Sequence, residues 1–206
     1  MTRNDWFRNT SWDRAIEDGF FGKLARVKDK SQYLRIQASA LAPRRPEVAL
    51  RLLDQYFALG DSFDNAQAHV DRATAYLALN QIDSAVLAYE AALAREAVFP
   101  NVRTRAYLEL PLLIAKERLS EHYDRAIALL EAHKDELTFP ADRFSWNCAI
   151  ALIRAEQGDR QTAAEAAQLA LAASSESHSG FRYHPDVGLV ANVDKSLLQR
   201  LTELAA

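Results

Sequence analysis

Apolar positions recur every three or four residues along most of the chain, broken by short polar, proline- or glycine-marked interruptions. That is the period of amphipathic helices, not strands. The clearest run is residues 66–100, AQAHVDRATAYLALNQIDSAVLAYEAALAREAVFP. Val70, Ala73 and Leu77 form one stripe, widened by Ala66, Tyr76, Ala78 and Leu79. Asn80-Gln81 interrupts it, and asparagine tolerates the left-handed backbone that closes a helix. Asp83 or Ser84 is then placed to cap a second helix carrying Ala85, Tyr89, Ala92 and Leu93 on one face. Small residues at 73, 85 and 92 let two backbones approach, and Tyr76 and Tyr89 fill the gaps between them.

The same pattern extends in both directions. Residues 1–10 form an irregular lead-in whose Trp6 and Phe7 dock on a first helix, capped by Ser11 and running from 12 to 27. Helices follow at 30–42 and 47–59, joined through Pro43–Pro46 and ended by Gly60. Asn101 starts a helix to residue 119, which Pro111 should kink or break near 107–110 because proline lacks the amide donor. Further helices are expected at 121–137, 144–157 and 161–173, and a last one at 193–204. Ala49 stands in register with Ala85, Ala126 lies 41 residues beyond Ala85, and Phe139-Pro140 repeats Phe99-Pro100 at an offset of 40. These offsets point to an internal repeat.

The central run resembles a tetratricopeptide repeat (TPR). That family's pattern is W-x2-L-G-x2-Y, then A-x3-F, then Pro, over about 34 residues. Ala73 and Tyr76 match the small and aromatic positions of the first helix, and Ala85, Tyr89 and Ala92 the small–aromatic–small run of the second. His69 and Arg72 stand where Trp and Leu are usual, and Pro100 comes about three residues late. The resemblance implies an all-α fold: a right-handed α-solenoid of antiparallel helix hairpins. The expected organisation is a single domain, 1–206, with a lead-in and helix at 1–29, about four hairpins in 30–173, and a loop and C-terminal capping helix in 174–206.

Composition changes this picture little. With 49% hydrophobic and 26% charged residues the chain falls among ordinary globular proteins, and six Gly and six Pro suit helices. A formal net charge of −3 gives no broad attraction for nucleic acid. One cysteine excludes an internal disulfide and a multi-cysteine metal site. The start, MTRNDWFRNTSWD, has no apolar signal core, and no stretch is long and apolar enough to span a bilayer, so cytoplasm is the expected compartment.

No phosphate-binding glycine loop, dinucleotide fingerprint, zinc-protease or nucleophile-elbow motif occurs. Cys148 lies on an apolar face and reads as a small buried hydrophobe. His69, His122 and His133 are scattered over separate helices and read as surface or interface residues. No cofactor and no metal are expected.

In TPR stacks the first helices of successive hairpins line a concave groove. Carried over, this places Gln67, Val70 and Thr74 on the inner face with Asp71 at its edge, and adds Arg35, Arg103, Tyr107 and Arg143 from neighbouring first helices. Val70 and Thr74 replace the Lys and Asn of the modules that clamp a terminal carboxylate. The arginines, with Tyr107, suit a protein or peptide partner, in particular an acidic or C-terminal segment; the opposing reading pairs them with local Glu and Asp. The leading expectation is a non-catalytic protein- or peptide-binding module, an adaptor or scaffold. One alternative is a self-assembling structural subunit. Another is an enzyme or ligand sensor in which Tyr107 converges with His178, Arg182, Tyr183 and His184 of the loop SSESHSGFRYHPD, residues 174–186.

Overall fold

The computed structural model describes residues 5–206, and every regular element among them is helical. The part of the lead-in expectation that falls on residues 1–4 lies outside the described residues. By its own contacts the chain divides into two compact units, meeting at Ala106 and Tyr107.

The first unit holds α1 (Arg14–Leu24), α2 (Ser31–Leu41), α3 (Pro46–Ala58), α4 (Asn65–Ala78) and α5 (Ile82–Val98). α2 packs along α3 and α4 along α5, while α4 also touches α2 and α3. The tight turns are set by single residues: Gly60 (φ 99°) follows α3, and Asn80 (φ 58°) follows α4 in the left-handed conformation its sequence position suggests. Trp6 stacks on Tyr33 of α2 at 5.0 Å and lies 5.4 Å from Phe20 of α1, so it reaches the first helix as expected, whereas Phe7 meets Tyr33 of α2 edge-on at 4.9 Å. Gln37, fully buried on α2, takes Asn9 through both ends of its amide: Oε1 accepts from the Asn9 N–H and Nδ2, and Nε2 donates to the Asn9 carbonyl.

The second unit holds α6 (Ala106–Lys116), whose first residue closes the preceding unit, with α7 (Tyr123–Ala132), α8 (Pro140–Glu156), α9 (Arg160–Ser174) and α10 (Lys195–Ala205). Short 3-10 turns at Ser120–His122 and Lys134–Glu136 flank α7. α8 packs along α9, and α10 lies against both. Leu201 of α10 is fully buried there, and Arg200 pairs with Glu156 at 2.6 Å.

One feature recurs through both units. Ala49, Ala85, Ala126 and Ala163 are each the fourth residue of their helix, α3, α5, α7 and α9. All four are at most 1% exposed. Four residues further on, Leu53, Tyr89, Leu130 and Ala167 are buried in turn. A methyl-sized side chain at one turn, followed at the next by a large residue in α3, α5 and α7 and by a second alanine in α9, sets how near the partner helix can lie.

Several boundaries differ from the sequence expectations. Asp13, not Ser11, caps α1, accepting from the Ile16 N–H at 2.8 Å. α5 starts at Ile82, ahead of Asp83 and Ser84, with no side-chain cap. α6 starts at Ala106, not Asn101, because Thr104 supplies the start: its Oγ1 accepts from the Ala106 N–H at 3.1 Å and donates to the buried Glu96 carboxylate at 2.5 Å. α6 then runs through Pro111 without a break. With the late start, Pro111 lies within the first two turns, where the single lost backbone bond is the one to Tyr107. The expected helix 121–137 shortens to α7 between its two 3-10 turns. α8 begins at Pro140 rather than Phe144, since proline suits the first helical position and the Asp142 carboxylate accepts from the Phe139 N–H at 2.9 Å.

Candidate functional site

α2 and α4 bring together three of the first unit's candidates, Arg35, Gln67 and Asp71, while Arg103 lies on neither helix. The Arg35 guanidinium donates from Nε to Asp64 and from Nη1 to Asp71, each at 3.2 Å. Gln67 Nε2 donates to the other Asp71 oxygen at 3.3 Å. Asp71 is 5% exposed, so it is a buried acceptor between two helices and not a groove-edge side chain. Burial pushes its carboxyl above the ordinary range, opposed by Arg35 and by hydrogen bonds from Gln67 and Ser39. Val70 is buried too, and the half-buried Thr74 returns its hydroxyl to the Val70 carbonyl. Gln67 and Thr74 therefore carry the water-facing part of this side of α4. Arg103 is exposed and donates to the Pro100 carbonyl at 3.4 Å.

In the second unit Tyr107 is buried with its ring 4.8 Å from that of His133. Arg143 reaches the 174–186 loop and bonds both Glu176 oxygens from Nη2, at 2.9 and 2.7 Å. The loop is folded on itself around the buried Ser179, whose N–H donates to the Pro185 carbonyl and whose Oγ donates to the His184 carbonyl, each at 2.7 Å. Phe181 packs against Phe139 at 5.4 Å. His178, Arg182, Tyr183 and His184 all lie on its exposed surface, with Tyr183 at 79% exposure. His178 Nδ1 accepts from the Gly180 N–H, and the Arg182 guanidinium sits 5.4 Å from the Tyr183 ring.

A second feature of the first unit was not singled out from sequence. The turn after α3 and the end of α5 enclose a cleft of about 190 Å³ lined by Asp61, Ser62, Phe63, Arg95, Phe99 and Val102. Phe63 is 75% exposed and Phe99 42%. Arg95 forms the polar wall: its guanidinium lies 3.7 Å from the Phe99 ring centroid and pairs with Asp61 at 2.6 Å. Through Asp61 and Ser62 this cleft adjoins a wider one, about 520 Å³, lined also by Lys28, Lys30, Ser31, Leu59 and Gly60. Phe63 sits in the polar run GDSFDN, where no hydrophobic period marks it. Its isolation among polar residues was the one available signal.

Two further groups bear on chemistry. Cys148 is fully buried, and burial pushes its thiol up to about 12, which leaves it protonated and unreactive. His69 stacks on Phe57 at 4.6 Å, and burial, with Arg72 and Arg95 nearby, brings its imidazole down to about 4. Among the described residues no group of three or more His, Cys, Asp or Glu is placed to hold a metal ion, and no helix is long and apolar enough to cross a membrane. Compared with known proteins, the chain matches no protein-family model, no curated protein and no solved structure.

Proposed function

We propose that the chain is a non-catalytic protein- or peptide-binding module, an adaptor or scaffold, built as a right-handed TPR-like solenoid with α10 as its capping helix. The observation that carries this reading is the recurrence of a fully buried alanine at the fourth position of α3, α5, α7 and α9. A repeated small contact residue is what stacked helix pairs need, since each pair hides its apolar faces only against neighbours. Stacks of this kind leave one side of the first helices open for extended partners. In the first unit that side carries Gln67 and Thr74 of α4 around the Arg35–Asp71 pair. Arg35 and Arg143 already hold carboxylates of this chain, so an acidic partner there competes with Asp71, Asp64 and Glu176.

The test is selection of a displayed library of random dodecapeptides on the purified chain, followed by titration of the consensus peptide against wild type and Thr74→Lys. A recovered consensus whose affinity falls about tenfold in Thr74→Lys, a loss near 1.4 kcal/mol, supports the inner face as the contact surface. Failure to enrich any sequence overturns the module reading. Light scattering at micromolar concentration separates the self-assembly alternative: the mass of one chain removes it.

A further inference from the structure

The end cleft of the first unit has the chemistry to choose a partner. Free apolar surface on a folded domain is usually scattered, yet Phe63 and Phe99 flank one concavity with Val102 at its side. An aromatic wall with an open mouth accepts one bulky apolar side chain in the way interface anchors fill pockets. The charges around it are unequal. Arg95 and Asp61 satisfy each other. Asp29 is held by the N–H and hydroxyl of Ser31, at 3.0 and 2.6 Å, which lowers its carboxyl below the ordinary range. Lys28 and Lys30 line the adjoining cleft, and neither is in an ion pair among the described residues. Asp29 stays ionised, so Lys28, Lys30 and Arg95 against Asp29 and Asp61 leave one surplus positive charge beside the aromatic cleft.

We propose that this end cleft takes an acidic peptide segment bearing one bulky apolar residue, with the apolar side chain between Phe63 and Phe99 and the carboxylates toward Lys28 and Lys30. The assignment rests on the peptide-binding reading above but uses a surface distinct from the Thr74 side of α4. Hydrophobic contact supplies most of the affinity, and the lysines supply the preference for acid, which makes binding weaken with added salt.

The experiment uses three fluorescein-labelled decapeptides and the intact chain, read by fluorescence anisotropy. One peptide is Asp- and Glu-rich with a single phenylalanine, one has lysines in place of the acids, and one has alanine in place of the phenylalanine. Wild type is expected to bind the first at least about tenfold more tightly than the other two. Phe63→Ser and the double variant Lys28→Glu, Lys30→Glu should each weaken it by a similar factor, and Gln161→Ala on α9 should leave it unchanged. All of these positions are solvent-exposed, and matching thermal unfolding curves establish that the variants fold. Equal binding of acidic and basic peptides, or binding indifferent to Phe63→Ser, overturns the assignment. Loss confined to Thr74→Lys overturns it too while leaving the binding-module reading in place. No binding of any peptide up to about 1 mM, together with an empty library selection, overturns both.

Discussion

Arg35 and Asp71 meet across α2 and α4 with Nη1 3.2 Å from Oδ2, and the carboxylate is almost sealed from water while the guanidinium also holds Asp64. A charge so placed depends on its partner. Arg35→Met keeps the aliphatic stem and leaves Asp71 unpaired. The expected loss at neutral pH is about 2 to 3 kcal/mol, below that of a fully buried pair because Arg35 keeps some contact with water. Burial already raises the Asp71 carboxyl, so its contribution to stability is fully present below the usual carboxylate range and is lost as pH rises through the raised value. Removing Arg35 raises it further. The gap between variant and wild type, read from urea midpoints, should therefore be widest at pH 7 and narrow as pH falls into the carboxylate range.

His69 has the opposite behaviour. Its imidazole is brought down from 6.5 to about 4, mainly by burial, so the unfolded chain binds a proton that the folded chain refuses. Stability is complete above about 6.5 and is lost as pH falls from there toward about 4. The full shift corresponds to roughly 3 kcal/mol, and the half-buried ring should realise about 1 to 2 of it. Denaturant midpoints of His69→Gln should lose correspondingly less across that interval. An identical pH slope in wild type and variant would show that another group titrates there.

Cys148, the single cysteine, makes a clean reporter of opening. With the thiol buried and pushed up to about 12, a maleimide should leave the native chain unmodified for hours and label it at once in denaturant. Mass spectrometry reads the outcome. Prompt labelling of the native protein would contradict the packing of α8.

The recurring alanines predict a positional effect. Ala126→Leu forces a larger side chain into a fully buried contact of α7 and should cost about 1 to 3 kcal/mol. Ala128→Leu, two residues on and exposed, should change stability by no more than about 0.5 kcal/mol. Thermal unfolding of the two variants checks this, and equal effects would remove the special status of the fourth position.

Gly188 supplies a test of the 174–194 connection. Its φ is 67°, and a Cβ there would lie 2.3 Å from ring atoms of Phe139. The Gly188 carbonyl also accepts from the Ala141 N–H at 2.9 Å at the start of α8. Gly188→Ala should displace Phe139 from Phe181 and expose the connection to limited proteolysis, while the exposed Gly22→Ala in α1 should leave cleavage unchanged.

The stripes were legible because helix packing is periodic. Val70 and Ala73, Ala85 and Tyr89, and Ala126 and Leu130 are buried where their spacing puts them. Asn80 was legible because few residues other than glycine tolerate its backbone. The starts of α1 and α6 were not: Ser11, Asp13, Asn101 and Thr104 are all competent caps, and the choice fell to Thr104 where the buried Glu96 could receive its hydroxyl. The candidate arginines were visible as residue types, but their carboxylate partners were not, since Asp71 lies 36 residues from Arg35 and Glu176 lies 33 from Arg143.

Sequence by itself determined the all-helical class, the order of most helices and the small-residue contacts, because each depends on spacing within a few turns of chain. Tertiary structure alone decided which carboxylate holds which arginine, that Asp71 is buried, and that Phe63 and Phe99 share a cleft. Those relations join residues distant along the chain, and their energies exist only once packing has excluded water from between them.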